Sequence, residues 1–116
     1  MPPEQSALVE RLRTALADQT TVREVPMFGG RALMVDGAML VSAQKDGGLL
    51  VRIDPERHEE LLGRPGAARA FMGPQREMGP GWVLVAADAL SDDEQLSAWV
   101  AVAMEHHRAA RVTASR

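Results

Sequence analysis

Asp36-Gly37 lies between two apolar runs, Arg31 to Val35 and Ala38 to Ala43, and constrains the fold more than any other pair of residues. A two-residue type I′ loop needs positive φ at both central positions, which Asp tolerates and Gly adopts freely. The pair therefore predicts a tight hairpin, and a tight hairpin requires antiparallel strands. A two-residue loop sets Val35 opposite Ala38 and Leu33 opposite Leu40.

Around this hairpin the chain reads as further short elements. Leu8, Val9, Leu12, Ala15 and Leu16 form the apolar stripe of an amphipathic helix over Ser6 to Asp18. An extended run, Val22 to Phe28, follows. Pro26 cannot donate to a ladder, so this run is an edge strand or is bulged there. The small pair Gly29-Gly30 then marks a sharp strand-to-strand transition. It is no phosphate cradle, because no helix follows it. Lys45-Asp46-Gly47-Gly48 is a second turn, leading into Leu49 to Ile53, where Leu49, Val51 and Ile53 point one way and Leu50 and Arg52 the other. Asp54-Pro55-Glu56 starts a short helix, about Pro55 to Leu62, with Gly63 as the residue that ends it. Arg64 to Gly81 shows little periodicity and reads as a long irregular loop. Trp82 to Ala86 is a last strand. Ser91 and Glu94 form a capping box for a helix carrying Leu96, Trp99, Val100, Ala103, Met104 and His107.

The order is helix, three or four strands, helix, strand, helix. This is an α+β fold: a two-layer sandwich with an antiparallel meander sheet and helices on one face. One domain over residues 1–116 is expected, its core about 6–108 and 109–116 a frayed tail. The chain has no Cys, which excludes disulfides and thiolate chemistry and fits a reducing compartment. It carries no export signal and no apolar run near the ~20 residues that span a bilayer, so a cytoplasmic location is expected. A net charge of −3 argues against a strongly basic nucleic-acid binder.

Met27-Phe28-Gly29-Gly30-Arg31, then Val35-Asp36-Gly37, then Leu50-Val51-Arg52-Ile53, and later Gly79-Pro80-Gly81-Trp82-Val83 occur in an order that resembles the TfoX/Sxy N-terminal domain family. The resemblance runs from about Val22 to Met104. It implies a secretion-chaperone-like α+β fold with a curved antiparallel sheet. It also implies a regulator of the kind that acts with the cAMP receptor protein at competence promoters. Those regulators usually carry a second, helical C-terminal domain, which is not expected in this chain. The family implies no catalytic residues.

Few residues here carry chemistry. His106 and His107 are adjacent on a helix, about 100° apart, and cannot share one metal without distortion. His58 has no second His four residues on. No serine sits in a Gly-x-Ser-x-Gly elbow. The acids Glu59-Glu60 and Asp92-Asp93-Glu94 suit a solvated helix face and a helix start. No catalytic site, metal or cofactor is expected. Twelve of the thirteen basic residues are Arg. Arg31, Arg52, Arg64, Arg69 and Arg76 would bind an anion or acidic partner if the first two shared the open sheet face with the loop folded over them. Met27, Met34 and Met39 alternate on one sheet face. With Phe71-Met72 they suit either a core or an adaptable docking surface. A non-enzymatic protein-interaction domain is the expectation, with a protein partner, with an edge strand and exposed methionines that would allow a homodimer, and without membrane or direct nucleic-acid binding. The alternative is a small anionic-ligand module built on the arginines.

Overall fold

In a computed structural model of the protein, which describes residues 2–19, 21–27, 30–73 and 76–114, hairpin geometry appears where the sequence puts it. Asp36 and Gly37 adopt φ of 52° and 83°. They join β2 (Gly30–Val35) to β3 (Ala38–Ala43), with Val35 opposite Ala38. The register then shifts: Met34 faces Met39 and Leu33 faces Val41, so Leu40 is the extra residue of a β-bulge rather than the partner of Leu33. The bulge sends Leu40 and Val41 to the same side, and both are buried there. A regular hairpin would have sent one of them to the other face.

β1 (Val22–Met27) pairs with β2 at the sheet edge, so Pro26 sits on an edge strand as its missing N–H requires. β4 (Leu49–Arg52) pairs with β3 after a turn in which Asp46 Oδ1 accepts from the Gly48 N–H at 2.8 Å. The segment read as an irregular loop is partly strand: β5 (Ala67–Arg69), β6 (Phe71–Gly73) and β7 (Arg76–Glu77). β8 (Trp82–Val85) lies between β4 and β5, completing a six-stranded antiparallel sheet in the order β1-β2-β3-β4-β8-β5. β6 and β7 make a separate small hairpin.

The helices are α1 (Pro3–Ala15), α2 (His58–Leu62) and α3 (Asp93–Ala114), with 3₁₀ turns at Pro55–Arg57 and Ala87–Leu90. Asp54 caps its turn by accepting from the Glu56 N–H at 3.0 Å, as its sequence predicts. Two other termini differ from expectation. Gly63 ends α2 with an ordinary φ of −75°, and the left-handed glycine is Gly66, three residues on. At α3 the capping oxygen belongs to Asp92, which accepts from the Glu94 N–H at 2.9 Å, while Ser91 Oγ donates back to the Asp88 carbonyl. Aspartate so close to the start has the better reach, and it adds negative charge at the positive end of the helix dipole. α3 continues to Ala114. The expected frayed tail includes residues 115–116, which with Phe28 and Gly29 lie outside the described residues, as do the side chains of Met72 and Arg111.

All three helices pack on one side of the sheet. Leu33, Val35, Val41, Leu49, Val51, Val83 and Val85 of the strands, with Ile53 just after β4, pack with Leu8, Leu12, Leu16, Leu61, Leu96 and Trp99. Trp99 is 1% exposed and is the largest side chain buried in this layer. Removing such a ring costs about 3–5 kcal/mol in a close-packed interior. Two polar contacts fasten the helices. Gln5, buried in α1, donates to the Ala43 carbonyl at 2.8 Å. Arg11 donates to the Leu90 carbonyl at 2.6 Å and to Asp93 at 2.9 Å, joining α1 to the start of α3. No helix among the described residues is long and apolar enough to cross a membrane.

The motif glycines Gly30 and Gly81 differ in what they permit. A methyl group on Gly30 would lie 2.5 Å from the Ala43 carbonyl oxygen and 2.8 Å from Ser42 Oγ, whereas at Gly81 the nearest atom is 3.9 Å away. Gly30→Ala is therefore expected to destabilise the fold by about 2 kcal/mol, a backbone-packing effect, and Gly81→Ala by less than about 0.5 kcal/mol. Urea unfolding of both variants checks this, and equal losses would contradict it.

Candidate functional site

Strand alternation divides the chemistry-bearing residues between the two faces. On β2, Leu33 and Val35 belong to the helix-side core and Ala32 and Met34 to the other side, so Arg31 falls on the helix side. There its Nε lies 3.0 Å from Glu24 Oε2, and Arg13 of α1 reaches Glu24 Oε1 at 3.1 Å. One half-buried carboxylate thus holds two guanidiniums and links β1, β2 and α1. On β4, Leu50 belongs to the face away from the helices, and Arg52 follows its parity opposite Trp82. Arg31 and Arg52 are on opposite faces.

The remaining arginines are also dispersed. Arg64 stacks over the Trp99 ring, 5.2 Å from its centroid, a cation–π contact on the helix side. Arg69, at the β5 edge, lies 3.8 Å from Glu77. Arg76 is exposed on the β6–β7 hairpin. The five arginines are not gathered into one anion clamp. Arg31 and Glu24 lie seven positions apart on paired strands, and only the hairpin brings them together.

The histidines are spread in the same way. His107 is buried with Nε2 3.5 Å from Asp36 Oδ2, where α3 meets the β2–β3 turn. His58 carries a buried Nε2 without a hydrogen-bond partner among the described residues. Burial pushes His106 below its ordinary value; the Arg52 charge adds to this and Asp54 opposes it. The hydrogen bond and charge of Arg57 hold Glu60 below the usual carboxylate range, on an exposed surface where the pair adds little to stability. Among the described residues no group of three or more His, Asp and Glu side chains could hold a metal ion.

What the structure does bring together is apolar. A second cluster, to which no helix contributes, lies on the sheet face away from the helices. Ala32, Met39, Leu50 and Ala70 are its buried members, and Met27, Met34, Met78, Trp82 and Leu84 pack around them half-exposed. The alternation of Met27, Met34 and Met39 predicted this face. Met78 and Ala70 were not foreseen, because they arrive through the β6–β7 segment: the Met78 N–H donates to the Ala70 carbonyl at 2.8 Å. Phe71, beside them, is 53% exposed, and it is the large hydrophobic side chain that stands out among the described residues. At one end of this face an open groove of about 480 Å³ runs past Leu84, Ala68, Lys45 and Asp46.

Residues 14–107 match the family model described as the TfoX N-terminal domain. No curated protein matches the chain.

His106 supplies a pH test. Because burial disfavours its charged form, the unfolded chain takes up a proton first as pH falls, and the folded state loses stability below 6.5. Urea unfolding of the wild type should lose more stability between about pH 7 and about pH 5 than His106→Gln does. Parallel pH profiles would remove His106 from the account.

Proposed function

The chain belongs to the TfoX N-terminal domain family, and from that membership we propose that it is a non-enzymatic protein-interaction domain that serves transcriptional regulation in the cytoplasm. The sheet face that no helix covers is its contact surface. The observation that carries this reading is the composition of that face: four methionines, Met27, Met34, Met39 and Met78, packed with Trp82 and Leu84 beside exposed Phe71. Methionine side chains are unbranched and polarizable, so such a surface adapts to a partner with little strain. Helix-side arginines support it from the other direction, since Arg11, Arg13, Arg31 and Arg57 are engaged by acids within the fold. An anion clamp built on Arg31 and Arg52 draws less support, because the sheet lies between them.

Met34→Glu and Leu84→Glu place a charge on the face without touching the helix-side core. Both variants should keep the wild-type circular dichroism spectrum. Affinity capture from the native host should return a stoichiometric partner with the wild type and lose it with both variants. Retention of the partner by both would move the contact elsewhere on the molecule. Duplex DNA should not bind appreciably at physiological salt; tight binding with a steep salt dependence would contradict the reading.

A further inference from the structure

Among the described residues, most basic groups on the helix side are paired with acids, and those around the open face are not. On the helix side and at the β5 edge, Arg11, Arg13, Arg31, Arg57 and Arg69 each have a carboxylate within ion-pair distance, Arg64 rests on the Trp99 ring, and Arg108 of α3 has no carboxylate that close among the described residues. Around the open face the basic groups have none among the described residues. Arg23, on β1, pairs across the ladder with Met34 and is exposed beside it. Lys45 lines the groove that Leu84 and Ala68 border. Arg76 is exposed on the hairpin whose neighbouring Met78 packs into the cluster. Arg52 stands at the end of β4 opposite Trp82. Two acids lie on the same rim, and both are engaged: Asp46 accepts from the Gly48 N–H, and Glu77 lies by Arg69.

We infer that this face takes an acidic amphipathic segment of a partner protein, its apolar side chains seated among Met34, Met39, Trp82 and Leu84 and its carboxylates meeting Arg23, Lys45 and Arg76. The inference rests on the reading of the open face as the contact surface and adds the chemistry of the occupant. A chain of net charge −3 that sets Arg23, Lys45, Arg52 and Arg76 around one apolar face, none with a carboxylate partner among the described residues, is complementary there to negative charge. A second copy of the chain fits worse. Two-fold pairing through this face would set the basic rim of one copy against that of the other, and like charges facing across an interface are destabilising.

A displayed library of random peptides, selected on the wild-type chain, tests the inference and keeps it separable from the reading beneath it. Selected peptides should combine aromatic or aliphatic residues with Asp and Glu. They should bind Arg23→Glu and Arg76→Glu about tenfold more weakly than wild type, with an effect that shrinks at high salt. Met34→Glu should abolish their binding. Selected peptides lost on Met34→Glu but neutral or basic, and indifferent to the two arginine variants, would overturn the acidic occupant and leave the contact surface standing. Peptides indifferent to Met34→Glu would remove both. Sedimentation showing a wild-type dimer that Met34→Glu dissociates would give the face to a second copy and overturn the inference.

Discussion

Leu33, Val35, Val41, Val51 and Val83 project from four neighbouring strands into one layer, where Leu12 of α1 and Trp99 of α3 close over them. Burial of this side against the helices is the interaction on which the other features rest. It decides the parity of every strand, because a pleated strand that commits one residue to the core commits its neighbours to the opposite face. The bulge at Leu40 belongs to the same economy: it lets β3 put two consecutive residues, Leu40 and Val41, into the layer without rotating Met39 off the other face.

Two surfaces of unlike character follow from that commitment. The helix side is tied by polar contacts of long sequence range, with Gln5 on the Ala43 carbonyl, Arg11 on Leu90 and Asp93, and Glu24 between Arg13 and Arg31. Arg13 ties α1 to β1, Arg31 ties β2 to β1, and Arg11 ties α1 to the start of α3. The opposite side receives methionine, Trp82 and Leu84 with partial cover from the β6–β7 hairpin, and among the described residues its basic groups have no carboxylate within ion-pair distance. The proposed contact surface rests on that contrast, since an adaptable methionine-rich face can repack against a partner.

Elements whose signals are local were legible in the residues. Asp36-Gly37 specified its turn because positive φ is a property of those two residues, and Asp54-Pro55 specified a helix start because the capping oxygen reaches only two residues on. Features that depend on a distant partner were not legible. Ala67-Ala68-Arg69 has little strand propensity and becomes β5 because β8 offers it a free edge. Gly63 and Gly66 are equally glycine, and only the path back to Ala86, whose N–H donates to the Gly66 carbonyl, decides which one turns left-handed. Of the candidate site, the alternating methionines were visible along β1 to β3. Arg23, Lys45 and Met78 were not, since nothing in their own neighbourhoods ties them to that face.

The residues by themselves determined an antiparallel meander, its central hairpin, the helices that flank it and the family to which the chain belongs. These rest on backbone preference and on periodicities of two and 3.6, which act over a few neighbours. Only the tertiary structure decided that Arg31 and Arg52 stand on opposite faces, that Glu24 neutralises the first, and that the open face gathers its apolar and basic groups from β1, the β3–β4 turn, β8 and the β6–β7 hairpin. The physical reason is that side-chain partnership depends on strand order and bulge position, and both are settled by burial across the whole sheet.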